Sequence, residues 1–254
     1  MPHGFSFDSP GNLSIAPPAR QPAVALRLPA PPNLTNPQEI VTIKVKPEKD
    51  STPTDLMPSQ KMIKSYTIHK AFLLHYSPYF RVILKLLPRS PKPMDLEIDN
   101  THITAFGIFV HWLYYQTLTS LEDVPNSFVL MKVWELGGRF RVPALQNSAM
   151  DSLHEYFVSN NNTMINTSSP RGWYWEGFFG VARRADVDGA LMRLLRDVLV
   201  TTKNEDVSTA MIEHADPYMI KGAFIRMKKR EIDSNVCGVG PASDYYVSVP
   251  ALEN

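Results

Sequence analysis

Tyr66-Thr67-Ile68-His69-Lys70-Ala71-Phe72-Leu73-Leu74-His75-Tyr76-Ser77-Pro78-Tyr79-Phe80 is the stretch whose reading decides the fold. Ser65-Tyr66-Thr67-Ile68 combines aromatic and β-branched residues and reads as a strand. With no turn residue between, it leads into a helix around Lys70 to Tyr76. Ser77-Pro78 then starts a second helix: serine can cap the orphan amides, and proline at the first helical position gives up no bond. That helix, Tyr79 to Leu87, is apolar on more than one side, which predicts that it is buried.

Outward from this hairpin the elements are short. Upstream, Ile40 to Val45 reads as the first strand, with Val41, Ile43 and Val45 on one face. Prolines 47, 53 and 58 break the long loop from Pro47 to about Lys61. Downstream, Pro88, Pro91 and Pro93 stop the second helix, and Met94 to Ile98 alternates as a half-exposed third strand. Asn100 or Thr101 is placed to cap a helix to about Tyr115. Ile103, Phe106, Phe109, Val110 and Leu113 form one apolar stripe on it, and Ile108, Trp112 and Tyr115 a second. A helix apolar on two faces is either central or an interface element, and the central place is the ordinary one. A fourth helix covers about Asn126 to Phe140, with Gly137-Gly138 favouring termination near its end. A fifth runs from Pro143 to about Phe157. The class is therefore α+β, a small three-stranded sheet capped by a cluster of about five helices.

Four segments follow from composition. Residues 1–37 are rich in proline and small residues, so a disordered leader is expected there. A polyproline ligand is the other reading, but no spaced Pro-x-x-Pro with a basic anchor supports it. Residues 38–158 hold the elements above, and the polar break from Asn160 to Pro170 closes that domain. Residues 171–232 read as a C-terminal helical extension: an aromatic cluster at Trp173, Tyr174, Trp175, Phe178 and Phe179, a helix over Val187 to Val200, and a segment near Ile212 to Lys228 interrupted by Pro217. Residues 233–254 carry Gly238, Gly240 and Pro241 and read as a flexible tail.

The 26 basic and 25 acidic residues nearly cancel, which speaks against a surface built for nucleic acid or an anionic membrane. A single cysteine, Cys237, allows no intrachain disulfide and suits a reducing compartment. No signal peptide is recognisable and no run of about 18 apolar residues could span a bilayer. The acceptor patterns at Asn161 and Asn166 then have no glycosylation to serve. An intracellular location, cytoplasmic or nuclear, is expected.

Chemistry leaves no sequence signature. There is no glycine-rich phosphate loop, no His-Glu-x-x-His, no Gly-x-Ser-x-Gly and no Cys-x-x-Cys. His154-Glu155 lacks the second histidine of a zinc helix. Asp186 and Asp188 suit a helix start, and His69 and His75 lie six apart, off the spacing that shares a helix face. Lys228-Lys229-Arg230 reads as a solvated helix face rather than a nuclear address. Arg171, Arg183 and Arg184 are too few to make a nucleic-acid groove around Trp173 and Trp175. No catalytic residue, cofactor, metal site or small-molecule substrate is expected, and the chain does not read as an enzyme.

Together with Phe109 to Tyr114 and the run from Trp134 to Asn147, which includes Val142-Pro143-Ala144-Leu145-Gln146-Asn147, the opening stretch resembles the BTB/POZ family. The likeness is greatest to the stand-alone BTB proteins common in fungi. Three such matches in the right order cover about half the chain. The resemblance implies a BTB/POZ fold and a protein–protein interaction module that forms homodimers or binds partners. A substrate adaptor for a cullin-type ubiquitin ligase is the alternative, and a transcription-related scaffold the next. Some members dimerise by strand exchange around a charged pocket; its basic position matches Lys70, but Ile40 stands where the acid would be, so that pocket does not carry over. The interaction surfaces expected are Trp112 and Tyr115 on the long helix, and Trp173, Trp175 and Phe178 in the aromatic cluster.

Overall fold

Strict alternation puts β1 (Ile40–Val45) in the middle of the sheet: Val41, Ile43 and Val45 are fully buried. The computed structural model describes residues 30–35, 38–48, 62–86, 94–118, 125–159, 172–185, 189–203, 205–232 and 239–248. β2 (Lys64–His69) pairs antiparallel to β1, from Ile40 opposite His69 to Val45 opposite Lys64. β3 (Met94–Ile98) lies parallel on the other side, with Val41 beside Met94 and Val45 beside Ile98. The order is therefore β2-β1-β3. On the outer face Lys46 Nζ reaches Glu97 at 2.7 Å and Asp99 at 3.2 Å, exposed pairs that tune register more than stability.

α1 (Lys70–Tyr76) starts on the residue after β2, and α2 (Pro78–Leu86) follows Ser77. The serine caps as expected and also does more. Its buried Oγ accepts the Phe80 N–H at 3.2 Å and donates to the Phe140 carbonyl at 2.7 Å, tying the hairpin to the far end of another helix. α2 departs from its expected burial. Phe80 and Leu84 face the core, while Val82 and Leu86 remain 57% and 78% exposed, because the fold supplies neighbours for only one of its two apolar faces.

α3 (Ile103–Tyr115) takes the central place, burying Phe106, Phe109, Trp112 and Leu113. Its cap is neither Asn100 nor Thr101 but His102, whose Nδ1 accepts the Ala105 N–H at 3.3 Å. Asn100 sits in the left-handed region at φ 50°, and Thr101 is tied to the Lys46 and Asp99 carbonyls, so both are spent on the turn before the helix.

α4 (Ser127–Arg139) is capped by Asn126, whose Oδ1 accepts the Val129 N–H at 2.9 Å. It ends at Arg139, directly after Gly137-Gly138, as expected. Arg141 follows at φ 55°, with the Arg141 N–H on the Gly138 carbonyl and the Val142 N–H on that of Gly137, a Schellman closure. The glycines serve packing: a Cβ on Gly137 would lie 2.7 Å from Gln146 Cγ and 3.3 Å from the Val142 carbonyl. Gly137→Ala is thus expected to destabilise by about 1–3 kcal/mol through forced separation of α4 from α5 (Pro143–Ser159), despite alanine's better helix propensity. Denaturant unfolding checks this; a stabilised variant would show that propensity outweighs the clash.

The extension comprises α6 (Gly172–Ala185), α7 (Ala190–Thr201), α8 (Glu205–His214) and α9 (Pro217–Ile232). Pro217 separates the last two as an N-terminal residue of α9, and Asp216 caps it by accepting the Met219 N–H at 2.8 Å. The core is continuous across both halves. Phe157 of α5 meets Trp175 and Phe178 of α6, and one cluster of buried side chains runs from Val41 to Tyr245. The segment expected to be a flexible tail needs correction over 239–248, which makes a 3-10 turn at Ala242–Tyr245, buries Tyr245 and docks on α5 and α7. The proline-rich leader to residue 29, most of the loop before β2, prolines 88, 91 and 93, the polar break, Asp186, Asp188 and Cys237 lie outside the described residues.

Candidate protein-interaction surfaces

The five expected contact residues do not form one surface. Trp112 is fully buried in α3, its Nε1 donating to Ser148 Oγ at 3.2 Å while its ring meets Tyr76 edge-on. Trp175 and Phe178 are buried between α6 and Phe157. These three are core, because a central helix and a helix laid on α4 and α5 are each covered within the chain. Trp173 lies on α6 with its side chain outside the described residues. Tyr115 is open, 68% exposed and stacked on His111 at the C-terminal end of α3.

Apolar surface lies elsewhere. On α2, Val82 and Leu86 are four apart and share an open face with the half-buried Tyr79 and Ile83. On α9, Tyr218, Phe224, Ile225 and Met227 are exposed among lysines. The sequence signal for α2 was its second apolar face, read there as burial inside the fold. Burial against another chain satisfies the same pattern.

Several histidines and charges are taken up by structure. His69 Nδ1 and its backbone N–H both meet Tyr114 Oη, at 2.9 and 3.0 Å, with the hydroxyl accepting from the amide. His154 Nε2 donates to the Gly240 carbonyl at 2.6 Å. His102 is desolvated and faces Lys132, which together lower its pKa from 6.5 to about 4. Lys132, nearly buried, reaches Glu48 at 2.9 Å and Glu135 at 3.3 Å. Lys70 pairs with Glu39 at 2.6 Å, so an acid does meet this lysine, one residue before Ile40.

Two features flank α7. One is an open cleft of about 580 Å³ bounded by Trp134, Gln146, Arg139, Arg184, Arg193 and Tyr246. Its arginines are engaged: Arg139 with the Asp99 and Asn100 carbonyls, Arg184 with Glu135, Arg193 with the Asp244 carbonyl. The other is Asp197, a carboxylate only 3% exposed. Its Oδ2 accepts Tyr245 Oη at 2.7 Å, and its Oδ1 lies 2.7 Å from Arg226 Nε, an ion-pair distance without hydrogen-bond alignment. Burial raises its pKa against the opposing pull of Tyr245 and the arginines. Burial and Asp197 likewise push the Tyr245 hydroxyl upward. Among the described residues, no group of three or more His, Cys, Asp or Glu side chains is placed to hold a metal ion, and no helix is long and apolar enough to cross a membrane.

A small sheet with a parallel third strand, capped by a helical hairpin around a central helix, is the frame that carries these surfaces. The BTB/POZ domain family model matches residues 59–156. Over these residues the chain carries a BTB/POZ domain, a non-enzymatic protein–protein interaction module. No curated protein matches the chain.

Proposed function

We propose that the chain is a self-associating BTB/POZ module of the cell interior, cytoplasmic or nuclear, in which the outer face of α2 meets a second copy. The domain proper spans residues 38–158 and the helical extension 171–232. One observation carries the reading: α2 is apolar on two sides and the fold covers one, leaving Val82 and Leu86 57% and 78% exposed. Large aliphatic groups four apart on a rigid helix are a poor match for water and a good one for the same face of a partner, the self-complementary arrangement of a two-fold dimer. Stable association buries about 1,200–2,000 Å² in all, so the half-buried Tyr79 and Ile83 and neighbouring loops would contribute to the contact.

Light scattering on the full chain tests this. A dimer is expected, converted to a monomer with unchanged circular dichroism by Val82→Asp with Leu86→Asp. A wild-type chain that stays monomeric at every concentration tested, or a variant that dimerises as tightly as the wild type, overturns it.

The second reading is a cullin-type ligase adaptor. It is supported by the packing of α6 onto α4 and by the exposed apolar side chains of α9, since the resemblance assigns scaffold contacts to helices after the domain. Capture of a purified cullin N-terminal domain by the full chain, lost with Phe224→Asp and Ile225→Asp, would support it; no capture would remove it.

A further inference from the structure

Residues 239–248 lie across α5 and α7 held by contacts that read both backbone and side chains. Asn147 of α5 grips the Val247 peptide twice: Nδ2 donates to its carbonyl at 3.0 Å, and Oδ1 accepts its N–H at 2.8 Å. One turn on, the Asp151 carboxylate accepts Tyr246 Oη, and after a further turn His154 holds the Gly240 carbonyl. Positions 147, 151 and 154 share one helix face. From α7, Arg193 donates to the Asp244 carbonyl at 3.2 Å and Asp197 accepts the buried Tyr245 hydroxyl. That hydroxyl also accepts the Gly240 N–H at 3.1 Å, closing the segment into a compact turn.

This is the construction of a peptide site: a backbone clamp sets register and side-chain pockets set identity. Among the described residues, Asn147, Asp151 and His154 make no hydrogen bond within α5's own surroundings from these side chains, only to the segment. The segment in turn buries a single side chain, Tyr245. Its hold on the molecule combines the polar readout of the groove with Tyr245, Val239 and Val247 packed at the edge of the core. Tyr246 and Val247 also bound the 580 Å³ cleft, so departure opens that cleft as well.

We propose that the groove between α5 and α7 is a peptide-binding site whose ligand is the Gly240–Ser248 segment of this chain, held by its own copy here and exchangeable with that of a second copy. The second copy is the occupant because it carries by construction the sequence that fits, and reciprocal exchange closes as a two-fold pair. The exchange does not depend on the α2 face.

Complementation between full-length chains tests it, carried out in the Val82→Asp, Leu86→Asp background so that the α2 contact plays no part. One chain carries Asn147→Ala and Asp151→Ala, which break the groove. The other carries Val247→Pro, which removes the N–H that Asn147 reads. Each alone is expected to stay monomeric, and mixing is expected to give a heterodimer with one rebuilt groove. A labelled peptide of residues 238–250 should bind the Val247→Pro chain, and about tenfold or more weaker once Asn147→Ala is added to it. Should Val247→Pro perturb folding, Tyr246→Ala replaces it, losing only the Asp151 contact. Folded chains that neither pair on mixing nor bind the peptide overturn the proposal, and peptide binding without pairing overturns the exchange between copies.

Discussion

Phe140→Ala is expected to cost about 3–5 kcal/mol of folding stability, the largest effect of any truncation considered for this chain. Phe140 is fully buried where three helices meet. Its ring lies 5.0 Å from Phe80 of α2, 5.1 Å from Phe109 of α3 and 5.3 Å from Tyr79, in tilted pairings that suit aromatic quadrupoles. Its backbone is fixed from two directions, by the Schellman closure of α4 and by the Ser77 hydroxyl on its carbonyl. The site cannot collapse easily, because the surrounding rings are rigid and their own backbones are pinned. Truncation therefore leaves a cavity as well as forfeiting the transfer energy. Urea unfolding monitored by circular dichroism checks the figure. A loss below about 1 kcal/mol would mean that the α2–α3–α4 junction is not the centre of the fold.

The second large effect is expected on acidification, and it comes from His102. In the native chain Nδ1 accepts the Ala105 amide, the ring is desolvated, and Lys132 opposes a second positive charge, so the ring stays neutral down to about pH 4. Glu135 pulls the other way but more weakly. In the unfolded chain the ring takes up its proton near pH 6.5. Between these values the unfolded state binds more protons, so stability falls as pH falls, and the loss is complete below about pH 4. The size is about 3 kcal/mol. The raised pKa of Asp197 acts in the opposite sense, since a carboxyl that binds its proton more readily when folded gains stability on acidification. Comparison with His102→Asn cancels that contribution, because asparagine retains a cap but does not titrate. The wild type should lose stability relative to the variant from pH 7 to 4; parallel pH profiles would refute the assignment.

Both effects sit at places where local pattern and tertiary packing divide the explanation. The ends of β1, α1, β3 and α5 follow closely from alternation, from the strand–helix junction at His69-Lys70 and from proline positions. Asn126 and Ser77 cap as their chemistry requires. Where reading by residue fails, a competing tertiary demand has won. Asn100 and Thr101 are good caps in isolation, but the turn off β3 consumes them. The glycine and proline content of 238–241 suggests looseness, while contacts to Asn147, His154 and Asp197 order the residues that follow.

Taken alone, the order of residues determined the class of fold and most element boundaries, since each depends on periodicity and on backbone rules that act over a few positions. Which apolar residues remain at the surface was decided only by the tertiary structure. Trp112, Trp175 and Phe178 are as apolar as Val82 and Leu86, and nothing in their spacing tells core from contact. Burial depends on what the rest of the chain lays over each face, which is a property of three-dimensional packing and not of any one helix.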